Sequence, residues 1–131
     1  MNTKVVFLLL SILFYLSCSL DNGTTMAVNS PISIDSVFIP DTAGVLEDAG
    51  IYAKTFGYDG CWSNLHFEFK KSKNFEYELT AVGDYASNGV CPDVLITNDT
   101  TILFKPGTVG KYYFRIRKTP KTILLDSMII E

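Results

Sequence analysis

From Ile32 to the C-terminus, apolar and polar side chains alternate with a period of two, the mark of half-buried strands. The clearest run sets Leu65, Phe67 and Phe69 against Asn64, His66, Glu68 and Lys70. A second sets Phe75, Tyr77, Leu79 and Ala81 against Glu76, Glu78 and Thr80, with Lys71-Ser72-Lys73-Asn74 as a polar hairpin connection between the two. Tyr112, Phe114 and Ile116 alternate with Tyr113, Arg115 and Arg117 in the same way. Further strands are predicted over Ile32–Ile39, Gly50–Phe56 and Val94–Phe104, the last broken near Asn98-Asp99. The run Ile123–Ile130 is apolar on both faces except at Asp126 and Ser127, which suits a strand covered on both sides or an edge strand docked against a partner. No long stretch repeats at the helical period, and Gly44–Ala49 has room for one helical turn at most. About seven short strands in roughly 100 residues predict an all-β antiparallel sandwich or barrel.

The front of the chain follows a different rule. Val5–Leu16 is apolar apart from Ser11, and Met1–Lys4 supplies one positive charge ahead of it. A positive start and about a dozen apolar residues form a secretory signal. The run is too short to span a bilayer, which takes about 20 apolar residues. Ser19–Pro31 is rich in Asp, Asn, Gly, Thr and Ser and has no periodicity, so it reads as a tether. The expected organisation is a signal over 1–17, a flexible tether over 18–31 and a folded domain over 32–131.

At the end of the signal, Phe14-Tyr15-Leu16-Ser17-Cys18-Ser19 resembles the lipobox of bacterial lipoproteins, in the looser Ser-Cys form of the Bacteroidota. In that family the cysteine thiol is diacylated and the chain is cut just before it. The resemblance makes Cys18 the lipidated residue and Ser17 the small residue before the cut; Tyr15 stands where leucine is usual. It also implies palmitate-type acyl chains holding the protein to an envelope membrane. Ser19, rather than Asp, after the cysteine favours the outer membrane by the Gram-negative sorting pattern. The alternative is a plain secreted protein. Three cysteines in an exported chain leave one to be explained. With Cys18 lipidated, Cys61 and Cys91 remain to form a disulfide in an oxidising compartment.

A second resemblance separates sandwich from barrel. Phe104-Lys105-Pro106-Gly107-Thr108-Val109-Gly110-Lys111-Tyr112-Tyr113-Phe114 resembles the E–F corner of immunoglobulin-like domains. It implies a sandwich of immunoglobulin-like architecture, with Tyr112 as the corner tyrosine whose hydroxyl bonds back to the backbone. Phe114 takes the place usual for the inter-sheet cysteine. Cys61 and Cys91 flank the third and fourth expected strands rather than joining the second and sixth, so membership of that family is not implied.

Charge and chemistry then narrow the function. The full chain carries a net charge of −3 with no basic run, which argues against nucleic-acid binding. Cleavage removes only Lys4 among charged residues, so lipid rather than charge would hold the mature protein to a membrane. His66 is the single histidine, and with Cys61 and Cys91 paired no zinc set can be assembled. No nucleophile elbow or carboxylate pair stands out, so no enzyme, cofactor or metal is expected. The acidic positions Asp41, Asp59 and Asp99 lack the spacing of a calcium loop. The segment Phe56–Trp62 is the richest in recognition chemistry, with Tyr58, Asp59 and Trp62 beside Cys61. Tyr85, Asn88 and Asp93 should join them at the Cys91 end. These are candidate binding loops for a protein partner or glycan, although a Trp62 that caps the sandwich end is the simpler expectation. The function expected is therefore a membrane-anchored, non-catalytic binding module. The alternative is a structural accessory subunit that docks through a sheet edge, with Ile123–Ile130 as the candidate.

Overall fold

The computed structural model describes residues 23–131; the signal, Cys18 and the first part of the tether lie outside the described residues. Two sheets pack face to face. The larger contains β1 (Thr25–Ile32), β3 (Thr42–Ala43), β5 (Trp62–Lys73), β6 (Glu76–Ser87), β8 (Gly110–Thr119) and β9 (Thr122–Ile130). The smaller contains β2 (Ile34–Phe38), β4 (Ala49–Gly57) and β7 (Ile96–Phe104). The expected all-β sandwich is what the chain forms, and the seven expected strands correspond to β2 and β4–β9. The additional strands are β1 and the two-residue β3.

Strand β1 corrects the tether. Thr25–Pro31 pairs antiparallel with β6, from Thr25 opposite Ser87 to Pro31 opposite Val82. It shows no alternation because most of its side chains are exposed, so only backbone pairing identifies it. A bulge at Val28-Asn29 interrupts the ladder, and Asn29 adopts a positive φ of 48°. Opposite it, β5 bulges at Asn64, with φ 50°. One carboxylate holds both: Asp84 on β6 accepts the Asn29 backbone N–H at 2.9 Å and the Asn64 side-chain amide at 3.0 Å. These bonds keep the Asp84 carboxyl below its usual range.

Strand β6 is the axis of the larger sheet. One edge carries β5; the other is shared end to end by β1 and β8. Strand β8 runs parallel to β6 because only β7, in the opposite sheet, intervenes and returns the chain to the starting end. Strand β3 likewise pairs parallel with the end of β9. These two parallel pairs depart from a purely antiparallel sandwich.

The core follows the predicted alternation. In β4, Ala49, Ile51, Ala53, Thr55 and Gly57 face inward, while Tyr52, Lys54 and Phe56 face out. Ile34, Ile51, Leu79, Phe114, Ile116 and Met128 are its largest fully buried apolar side chains. Phe104 meets the rings of Tyr77, Tyr112 and Phe114 edge-on at centroid distances of 4.9, 5.4 and 5.6 Å. The break expected at Asn98-Asp99 does not occur. Asn98 faces inward opposite Thr55, its amide donates to the Leu65 carbonyl at 2.6 Å, and the strand continues. Thr55 is satisfied in turn by the Ser33 carbonyl at 2.7 Å.

At one end of the sandwich, called here the corner pole, Tyr112 is buried and its hydroxyl donates to the Thr108 carbonyl at 3.0 Å, as the corner pattern implied. Phe75 is the exception among the expected inward residues. It sits in the β5–β6 turn at φ 59°, conspicuous for a bulky side chain, with its ring 5.0 Å from Tyr112 and its carbonyl bonded to the Tyr113 N–H. The hairpin therefore turns at Asn74-Phe75, and Lys71–Lys73 belong to β5. Gly44–Ala49 forms turns rather than a helix, with the Leu46 N–H bonded to the Pro106 carbonyl.

Candidate functional site

The opposite end is the disulfide pole. Cys61, just before β5, is bonded to Cys91, just after β6, with Cα atoms 5.3 Å apart. Asp59 accepts the Cys61 N–H at 3.0 Å, which shapes the turn leading to the bridge. Backbone bonds from Gly60 to the Pro92 carbonyl and from Ala86 to the Cys61 carbonyl stitch the loops together. Asp59 and both sulfurs form a compact group, but the sulfurs are bonded to each other and so are not metal ligands. Asp41 lies elsewhere, its carbonyl capping Ile129, and Asp99 is on β7.

Trp62 holds the frame together. It packs on the core, and its ring lies 5.2 Å from Tyr85. The chain makes room with glycine: a Cβ at Gly57 would fall 2.4 Å from the Trp62 Cβ, and one at Gly83 would fall 2.5 Å from Leu65 and 3.2 Å from the indole. Tyr85 continues the stack, its hydroxyl 3.4 Å from the Cys91 sulfur. Trp62 and Tyr85 thus join the disulfide to the core, as the capping expectation for Trp62 had it. Of the candidate loop residues, Tyr58 stands out into solvent, its ring edge-on to Phe56 at 4.8 Å. Asn88 and Asp93 are exposed and make no side-chain hydrogen bond among the described residues.

Concavities lie at both poles and on the outer face of the larger sheet. A small apolar cleft of about 140 Å³ is lined by Pro31, Ile32, Phe56, Tyr58, Trp62 and Pro120. A groove of about 410 Å³ runs over the outer face of β6, between Glu68 and Lys70 on one side and Arg117 on the other. Its charges are already matched, Glu68 with Lys70 at 2.8 Å and Glu78 with Arg117 at 3.1 Å. Lys70 holds the Glu68 carboxyl below its usual range. The third, at the corner pole, is lined by Lys71, Phe75, Tyr77 and Tyr112. Burial, with Tyr112 close by, pushes the Tyr77 hydroxyl up. His66, beside the groove, has Nδ1 2.8 Å from the Asn64 carbonyl.

The most unusual surface is the outer edge of β9. Ile123, Leu124 and Leu125 are 45%, 45% and 68% exposed, whereas Met128 and Ile130 in the same strand are buried. Strand β8 pairs along one side, but β3 covers the other side only at Ile129 and Ile130. Ile129 and Glu131 donate their N–H groups to Asp41 and Ala43, away from β8. By alternation, Ile123, Leu125 and Ser127 direct their backbone groups the same way. The Ser127 N–H is capped by Asp126 at 2.7 Å, and those of Lys121 and Thr122 by the Thr119 hydroxyl. Ile123 and Leu125 are left as the open rungs. On the adjoining surface, Lys111, Arg115 and Lys121 have no carboxylate partner among the described residues.

Comparison with protein-family models, with curated proteins and with solved structures found no match.

Proposed function

We propose that this chain is a lipid-anchored, non-catalytic interaction module of a bacterial envelope membrane, held through Cys18, which takes an extended segment of a protein partner along the open edge of β9. The observation that carries the reading is the run Ile123–Leu125, exposed and unpaired on one side. An open apolar edge is a template for strand addition, in which backbone bonds supply affinity and alternate side chains supply selection. The unmatched cations Lys111, Arg115 and Lys121 favour a partner strand that is apolar with flanking acids. The lipobox-like Leu16-Ser17-Cys18 and the three-cysteine count support the anchor, and Ser19 supports the outer membrane. A photo-crosslinker placed at Leu125 in cells is expected to trap one discrete partner, while the same group at Val109, comparably exposed in the loop between β7 and β8, traps none. Equal or absent trapping at the two positions would contradict the edge reading.

One observation favours a second reading. Tyr58 offers an exposed ring beside Phe56 and Trp62, the kind of surface on which a sugar stacks. Trp62 is the single tryptophan, so its emission should respond to a bound oligosaccharide and cease to respond in Tyr58→Ala. No response to envelope-derived oligosaccharides would remove this reading.

A further inference from the structure

The fold determines which end of the domain an anchor at Cys18 can hold against a membrane. Thr25, the first residue of β1, pairs with Ser87, beside the backbone bond that joins Ala86 to Cys61. The chain therefore enters the domain at the disulfide pole. Cys18 to Thr25 spans at most about 25 Å fully extended. The twelve-residue β6 carries the corner pole about 40 Å farther away. A tether shorter than the domain keeps the disulfide pole at the bilayer and cannot present the corner pole to it end-on.

The side chains at that pole fit the position. Val90 is 80% exposed, Leu95 57% and Val94 47%, and Met26 and Tyr58 are exposed beside them. Neither loop at this pole, 57–63 or 86–97, contains a lysine or arginine. Asp59 is engaged by the Cys61 N–H, which leaves Asp93 as the exposed acid of these loops, at the rim of the apolar group. The bridge holds both loops in place, so the apolar groups are displayed on a rigid base.

We infer that the disulfide pole is a membrane-seating surface, in which Val90, Val94 and Leu95, flanked by Met26 and Tyr58, enter the headgroup–acyl boundary of a phospholipid bilayer. This rests on lipidation at Cys18. Seating in this way leaves the outer edge of β9 upright and accessible from the side. It also assigns the exposed aromatic and aliphatic groups around Cys61 and Cys91, Tyr58 included, to lipid instead of a protein partner or a sugar. The diacylated cysteine then supplies stable attachment, and the shallow apolar contact fixes which end of the domain faces the bilayer.

The test uses the full-length chain, purified from envelopes in detergent and reconstituted into phosphatidylcholine vesicles with brominated acyl chains. Tryptophan is introduced at Val90 or, at the corner pole, at Val109, both exposed positions; native Trp62 provides a common baseline. The emission added by Val90→Trp should fall about twofold in brominated vesicles, since an interfacial side chain lies within roughly 5–10 Å of the acyl boundary. That added by Val109→Trp should not change. Combining Val90→Trp with Val94→Ser and Leu95→Ser should weaken the quenching. Equal quenching at the two positions, or none at either, in protein whose Cys18 is acylated by mass spectrometry would overturn the seating surface and leave the anchor intact. An unmodified Cys18 would overturn the anchor and the seating together.

Discussion

Strands β4 and β9 have the same length, nine residues, and both are rich in apolar side chains, yet they are used in opposite ways. Strand β4 alternates without error, lies between β2 and β7, and buries every second residue. Strand β9 is apolar on both faces, is paired fully on one side only, and buries just Met128 and Ile130. The difference lies in what stands opposite. The smaller sheet has three strands against six, so it covers only part of the larger one. Leu124 shares the inward side of β9 with Met128 and Ile130 but remains 45% exposed, because no strand faces it. Alternation reports a covering layer; apolar content alone does not.

The contrast is broken most severely by cavities. Ile51→Ala in the centre of β4 should cost about 2–5 kcal/mol, whereas Leu125→Ala in β9 should stay within about 0.5 kcal/mol, measured by urea denaturation. Comparable losses at both positions would show that the β9 edge is buried in the folded monomer. Removal of the bridge by Cys61→Ser with Cys91→Ser should cost about 3.5 kcal/mol, from the roughly 30-residue loop it closes. Gly57→Ala should cost about 1–3 kcal/mol, because the new methyl group meets the Trp62 Cβ rather than a flexible chain end. A neutral result there would mean that Trp62 is not seated against β4.

The smallest effect is also the most specific. Asp84 has a carboxyl held below its usual 3.8 by the two bulges it joins. A folded-state value below the unfolded one adds stability that is fully present above about pH 4 and is lost as the pH falls through the folded value. Asp84→Asn should flatten stability against pH below that point and leave its slope near neutrality unchanged. An unaltered acid limb would show that the bulges do not depend on the carboxylate.

Much of this fold can be read from the chain. The faces of β4, β5 and β8 follow from residue alternation, and the Cys61–Cys91 bridge is what the lipobox-like resemblance at Cys18 implies once three cysteines are counted. Tyr112 was legible because a corner tyrosine leaves a local pattern. Other features leave no such trace. Strand β1 is a largely exposed partner, without alternation, whose only signature is backbone pairing. Asn98 resembled a strand break because its partner, the Leu65 carbonyl, comes from the opposite sheet. Phe75 kept the phase of the alternation but sits at the turn, where its ring on Tyr112 and its bond to Tyr113 hold it. Of the loop candidates, Trp62 packs on the core and Tyr85 lies between its ring and Cys91. The apolar run of β9 is evident in the sequence; that only its first half is open depends on the reach of β3.

Amide hydrogen exchange, resolved by residue along β9, tests the open edge most directly, first on the purified full-length chain and then in complex with the partner trapped at Leu125. In the chain alone, the Ile123 and Leu125 amides should exchange rapidly while Leu124, directed at β8, is protected; in the complex, Ile123 and Leu125 should become protected. Protection of all three in the isolated monomer, or no gain of protection in the complex, would contradict the account.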